Sequence, residues 1–224
     1  MIIIGYGLRG RTKVGWTIQK FIDAKHILIP TSSYNQNFEW FNTLVDFEKK
    51  YLFSKMWVKD PFAAYWQLFD EKNGFGPHAL ALYIKDKIAE SKAEKSLIMG
   101  LSMGGYGAIL LGCLCEADVV IAISPQTQIV QYRKEKYKLR EKWLNSCINE
   151  EELDLKNILG KYDTGKTIYK LFYGENQHYD TEESERISFF SNVKLFPQPS
   201  YRHSMERIIL KKILQEHITN FLET

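Results

Sequence analysis

Apolar residues in this chain gather into short runs, most of them non-alternating, bounded by turn residues, at positions 2–4, 26–29, 96–100, 119–124, 168–173 and 193–197. Runs of this length without polar alternation belong to strands covered on both faces. Between them, apolar positions recur at helical spacing and predict helices over 14–24, 79–91, 104–115, 182–190 and 204–222. Strand and helix in alternation predict an α/β architecture. The expected form is a doubly wound, mostly parallel sheet of about six strands between two helical layers, α/β/α. In the last helix Met205, Ile208, Ile209, Ile213, Leu214, Ile218, Phe221 and Leu222 form the apolar stripe that a sheet-covering helix needs.

Two stretches break the alternation. Residues 34–75 hold 13 aromatics, including Trp40, Trp57 and Trp66, about twice the density of the whole chain, in which aromatics are 14%. Such a stretch can wall a pocket for a sugar or another flat ligand, but core packing is the favoured reading, because aromatic rings supply much of the buried area of any domain. Residues 133–142, RKEKYKLREK, carry six basic and two acidic side chains, with Glu150, Glu151, Glu152 and Asp154 close behind. This reads as a cap-like helical insertion at about 127–166. A basic face there could meet an anionic substrate, though a solvated helix of mixed charge is the favoured reading.

The composition narrows the class. With 224 residues, 45% hydrophobic and 25% charged, and a formal net charge of +3, the chain is expected to be a single globular domain over 1–224 and no nucleic-acid binder. No stretch approaches the roughly 18 apolar residues of a membrane span, and only Ile2-Ile3-Ile4 precede Gly5, so a cytoplasmic location is expected. Cys113, Cys115 and Cys147 lack the paired spacing of a zinc site and read as reduced thiols, with no metal and no disulfide framework implied.

Two glycine motifs compete for the chemistry. Gly5-Tyr6-Gly7-Leu8-Arg9-Gly10 follows an apolar run and matches the dinucleotide fingerprint. That fingerprint also asks for an acidic residue at the end of the next strand, where the chain instead reads Ile29-Pro30-Thr31-Ser32-Ser33. Gly100-Leu101-Ser102-Met103-Gly104 follows the run 96–99 and leads into the small, apolar helix that starts with Gly104-Gly105. This is GxSxG in the strand-turn-helix setting of a nucleophile elbow, where glycines two before and two after the serine let the chain pass closely. The elbow presents the Ser102 hydroxyl at the carboxyl end of the sheet and points the Met103 amide toward an oxyanion.

A serine hydroxyl needs an imidazole to take its proton, and the imidazole needs a carboxylate to fix its tautomer. On an elbow of this kind the acid and then the histidine follow the serine. Of five histidines, His26 opens a strand, His78 precedes Ser102, and His217 lies deep in the last helix. His203, between the last strand and the last helix, is the expected base, with His178 as its rival. Asp180 is the preferred acid and Glu175 the reserve. The spacing of Asp180 and Glu183 is also that of a capping box. Asp163 falls at the wrong end of its strand. The second oxyanion donor is expected on the loop after an early strand, which assigns it to Tyr6 or Gly7 after residues 2–4 and gives the first glycine motif a role without a nucleotide.

With these residues in place, the chain resembles the α/β-hydrolase superfamily across nearly its whole length, in a minimal form in which residues 2–4 would be the family's third strand. Within it, GLSMGGYGAILLG and ADVVIAISPQT are similar to bacterial hydrolase-like proteins of surface-polysaccharide biosynthesis. The resemblance implies a serine hydrolase cleaving a carboxylic ester, with an acylated glycan or a small-molecule ester as substrate and no cofactor. The alternatives are an acyltransferase using the same three residues on a polysaccharide or thiol acceptor, and a binding protein without catalysis. The pocket walls are expected from residues 34–75 and from the insertion.

Overall fold

The computed structural model describes residues 17–33, 41–60, 62–68, 76–136, 138–139 and 150–224. Among the described residues, seven strands form one sheet in the order β1-β3-β2-β4-β5-β6-β7: β1 Thr17–Lys20, β2 His26–Pro30, β3 Ser54–Val58, β4 Lys95–Leu101, β5 Val119–Ile123, β6 Ile168–Gly174 and β7 Val193–Gln198. β2 to β7 run parallel and only the edge strand β1 is antiparallel, on β3. The sheet is therefore mostly parallel and doubly wound, as the alternation of elements predicts.

Period two in the strands feeds both faces. On β4, Ile98 joins one apolar cluster while Leu97 and Met99 join the other; on β5, Val120 and Ala122 part from Ile121 and Ile123 in the same way. The first cluster takes in α2 (Gly76–Ser91), α3 (Met103–Cys115) and α5 (Leu155–Tyr162). The second takes in α1 (Phe41–Glu48) and the last helix, α7 (Arg207–Leu222). Of the stripe expected on the last helix, Ile213, Leu214, Ile218, Phe221 and Leu222 are buried in that cluster. Ile208 departs from it, 80% exposed in the first turn.

Two parts of the sequence reading are corrected. The helix expected over 14–24 is absent from its described part, where Thr17–Lys20 is a strand in register with Lys55–Val58. β-Branched Thr17 and Ile18 suit a strand. The aromatic stretch also hides a strand, β3. Its Ser54 and Lys55 break the apolar run, yet both are buried with partners. Ser54 Oγ exchanges hydrogen bonds with the backbone N and O of Ile22 (both 3.1 Å), and Lys55 Nζ meets Glu48 Oε2 at 2.5 Å. Residues 2–4, with Tyr6, Gly7 and the first glycine motif, lie outside the described residues. So do Trp40 and Cys147.

The segment expected as an insertion, 127–166, contributes α4 (Gln131–Lys136), a 3₁₀ turn at Glu150–Leu153, and α5. α6 (His178–Glu185) starts four residues before the helix expected at 182, which moves Asp180 from a loop into the first turn of a helix. Among the described residues, no helix is long and apolar enough to cross a membrane, and no cluster of three or more His, Cys, Asp or Glu could hold a metal ion.

Candidate active site

The site is built on the turn between β4 and α3. Ser102 has φ 54° and ψ −116°, a region that side-chain-bearing residues occupy only when the surroundings impose it. Ser102 N donates to Ile123 O of the neighbouring strand at 2.9 Å, and Tyr106 N donates to Ser102 O at 3.0 Å, so both sides of the turn are tied down. Glycine is required two residues earlier: a Cβ on Gly100 would run into the carbonyl of Gly104 and the Thr31 hydroxyl. That hydroxyl lies 2.7 Å from Gly104 O and 3.0 Å from Met99 O, with its single O–H shared between the two carbonyls at the back of the elbow.

His203 lies on the loop between β7 and α7. Ser200, fully buried, braces this loop: its Oγ accepts from Arg202 N at 3.1 Å and its carbonyl from Asn176 N at 3.2 Å. Met205, on the other side, is buried in the second cluster. His203 Nε2 is 2.7 Å from Ser102 Oγ, and His203 Nδ1 is 2.6 Å from Asp180 Oδ1. A carboxylate only accepts, so Nδ1 donates to Asp180 and Nε2 is left to take the hydroxyl proton of Ser102. Asp180 is fully buried, and its Oδ2 has no hydrogen-bond partner among the described residues.

The other candidates fall away from this line. Glu175 is exposed at the end of β6, its amide bound to Gln198 O. His178 points to solvent and meets Glu182 at 3.1 Å. His26 packs edge-on against Phe221, His78 pairs with Glu152 at 2.9 Å, and His217 sits between Phe172 and Phe196. Asp163 accepts from Tyr169 Oη and Asn192 Nδ2 at the far end of the sheet. The capping-box pairing of Asp180 with Glu183 does not form: Gln177 caps α6, its Oε1 accepting from Tyr179 N at 2.9 Å.

Glu183 does something the sequence did not suggest. Buried one turn after Asp180, its Oε2 accepts from Thr127 N at 2.5 Å and from Thr127 Oγ1 at 2.7 Å, while its Oε1 meets the buried Arg133 of α4 at 2.7 Å. The insertion is thus pinned to the helix that carries Asp180. Lys134, next along the basic run, pairs with Glu150 at 3.1 Å. These pairings fit a mixed-charge helix better than a bare cationic face. Ser102 and His203 open onto a cleft of about 710 Å³ whose described lining comes from the loop after β5, from α4 and from α6. The aromatic stretch lines it nowhere among the described residues: Phe53, Tyr65 and Trp66 are core.

Met103 opens α3 directly after the serine, with its side chain buried. Tyr6 and Gly7 are not described; among the described residues β4 is flanked by β2 and β5. The loop leaving β2 runs against the elbow, with Ser32 O 3.0 Å from where a Cβ of Gly104 would stand.

No family model and no curated protein matches the sequence. Solved structures do match. The capsule O-acetyltransferase of Neisseria meningitidis serogroup A superposes with a TM-score of 0.67 at 15% identity, covering 93% of this chain and 91% of that one. One structure of that protein is a mutant in complex with CoA. The S-formylglutathione hydrolase of Staphylococcus aureus gives 0.63 at 13% identity over 89% and 84% of the chains, and an α/β hydrolase from a lagoon-sediment metagenome gives 0.59 at 16% over 90% and 94%. This chain has the α/β-hydrolase fold. A glycosylation-associated protein complex (Gap123) of Streptococcus agalactiae shares that fold with a TM-score of 0.66 at 17% identity, over 93% of this chain but 44% of its own. In an α/β-hydrolase sheet the turn after the central strand presents a serine at the carboxyl edge, the place Ser102 holds at the end of β4.

Proposed function

We propose that the protein is a serine enzyme that cleaves a carboxylic ester through Ser102, His203 and Asp180, with an O-acylated glycan as substrate. The observation that carries this reading is the unbroken line of hydrogen bonds from Ser102 Oγ through His203 to buried Asp180, at 2.7 and 2.6 Å, ending on a strained elbow. His203 Nε2 takes the proton as Ser102 Oγ bonds to the ester carbonyl carbon. The tetrahedral oxyanion collapses, the carbon–oxygen bond to the alcohol breaks, and His203 returns the proton to the leaving oxygen. Water then repeats the sequence on the acyl-serine, releasing the acid and restoring Ser102. Asp180 holds the Nδ1–H tautomer throughout.

The amide of Met103 is the first oxyanion donor, strengthened by its place at the amino end of α3. For the second, the loop after β2 is preferred over Tyr6 or Gly7, because it abuts Gly104. The insertion at 127–166 serves as a cap over this site within one domain, and a cytoplasmic location fits the reading.

The fold shared with a capsule O-acetyltransferase supports transfer to a sugar or thiol acceptor as a second reading of the same acyl-serine. Turnover of p-nitrophenyl acetate tests the common part. Ser102→Ala is expected to lose at least ~10⁴-fold in kcat and Asp180→Asn about 10³–10⁴-fold. Unchanged turnover in Ser102→Ala contradicts the assignment. Adding competing alcohols and thiols and analysing the products separates hydrolysis from transfer.

A further inference from the structure

The cleft in front of Ser102 has a definite chemistry. Its volume of about 710 Å³ falls in the ~300–1,000 Å³ range of small-ligand sites. Val130 and Tyr179 are the hydrophobic residues among its described lining. Gln126, Gln128 and Gln177 add three carboxamides.

Two of these side chains are fixed in advance. Gln126 is 8% exposed, and its Oε1 accepts from the buried Tyr65 Oη at 2.6 Å. One hydrogen bond to the carboxamide oxygen fixes the group, and the two N–H donors of Nε2 remain for whatever fills the cleft. Tyr179 is 38% exposed, with its ring centroid 5.1 Å from the guanidinium of Arg133. Arg133 is itself 4% exposed, held by Glu183 Oε1 and by the carbonyl of Gln128. An ion pair buried this deeply gains little net stability, but with its hydrogen bonds met it fixes position. It gives Tyr179 a rigid base and leaves ring area open to the cleft.

A flat aromatic platform beside amide donors complements a molecule with one apolar C–H face and a rim of hydroxyls. The charges lining the cleft are mixed: Arg133 is matched by Glu183, Arg186 by Asp154 at 2.6 Å, and Lys136 is accompanied by Glu182. We infer that the cleft is a carbohydrate subsite, in which one pyranose ring lies on Tyr179 with its hydroxyls on the Gln126 amide, while the ester oxygen it carries reaches Ser102. The inference rests on the serine-enzyme reading for the acyl step and on the cleft alone for sugar binding.

The test uses the full-length Ser102→Ala protein, which binds without turning over, and mono-O-acetylated xylotriose as probe in saturation-transfer NMR. Sugar-ring protons are expected to receive saturation. Tyr179→Ala in the same background is expected to weaken the effect at least tenfold, while Tyr179→Phe retains it. In the enzyme with Ser102 intact, Tyr179→Ala is expected to lower kcat/KM for the acetylated sugar, relative to p-nitrophenyl acetate, at least tenfold. Absence of saturation in the Ser102→Ala protein, or equal saturation in its Tyr179→Ala form with a native melting profile, overturns the subsite. Loss of saturation with Ser102 still reactive removes the subsite alone; intact saturation with an unreactive Ser102 upholds the subsite and removes the serine chemistry.

Discussion

Ser102 occupies a backbone conformation that a serine adopts at a cost of roughly 1–3 kcal/mol, and the surrounding bonds to Ile123 and Tyr106 hold it there. That strain was legible in advance, since only a turn this tight requires glycine on both flanks of a serine. The histidine was legible by elimination among five, because a base must lie beyond the acid and before the last helix. The choice of Asp180 over Glu175 was harder. It depends on α6 starting at His178, four residues earlier than apolar spacing suggests, because the first turn of that helix is polar and capped by Gln177. Gln126, Arg133 and Tyr179 left no trace in the sequence: an isolated glutamine, arginine or tyrosine shows its role only through what it touches. Cys113 and Cys115 are free and buried. Burial pushes the thiols of Cys113 and Cys115 up to about 12, so neither forms thiolate near neutrality. Iodoacetamide at about pH 8 is expected to leave both unmodified in the folded protein, with peptide mapping as the check, and rapid alkylation of either contradicts their burial.

Strands apolar on both faces announce themselves, and β2, β4, β5, β6 and β7 fall close to their expected positions. β1 and β3 do not: β1 is the antiparallel strand at the edge, and in β3, paired on both sides by β1 and β2, polar residues occupy buried positions by finding partners. Lys55 is 9% exposed, and Glu48 of α1 reaches its Nζ from the next layer. A periodicity argument counts such a lysine as solvent-facing and loses the strand. The insertion shows the same effect in reverse. Its basic run looks like a surface, but Arg133 turns inward to Glu183, joining α4 to α6. Glu183→Gln leaves the guanidinium buried without its counter-charge and is expected to destabilise the fold by about 3 kcal/mol in urea denaturation. Because α6 also carries Asp180, the same variant is expected to lower kcat with little change in KM for a sugar-free ester. A loss under 0.5 kcal/mol shows that the pair does not anchor the insertion.

The whole sheet places its chemistry at one edge: the elbow after β4, the loop after β5, the start of α6 after β6 and the His203 loop after β7 all leave from carboxyl ends of parallel strands. An open α/β sheet gathers its functional loops there. Away from that edge, burial holds two imidazoles neutral. His26 and His217 are both kept below the ordinary 6.5, first by desolvation and then by Lys95 and Lys170 respectively. The unfolded chain then takes up protons more readily than the folded one, so this stability is fully present above about pH 6.5 and is lost as pH falls through the folded values. The melting temperature is expected to drop between about pH 7.5 and 5.5, and His217→Phe to reduce the drop; a melting temperature unchanged across that range contradicts it.

The central claim is an activated serine, and one experiment meets it directly: reaction of the purified protein with a fluorophosphonate, with the modified peptide mapped and with Ser102→Ala and His203→Ala alongside. The expected result is a single adduct on Ser102, absent in Ser102→Ala and at least a hundredfold slower to form in His203→Ala. A folded protein that takes no label, or takes it equally well without His203, contradicts the claim and leaves an α/β-hydrolase fold used for binding alone.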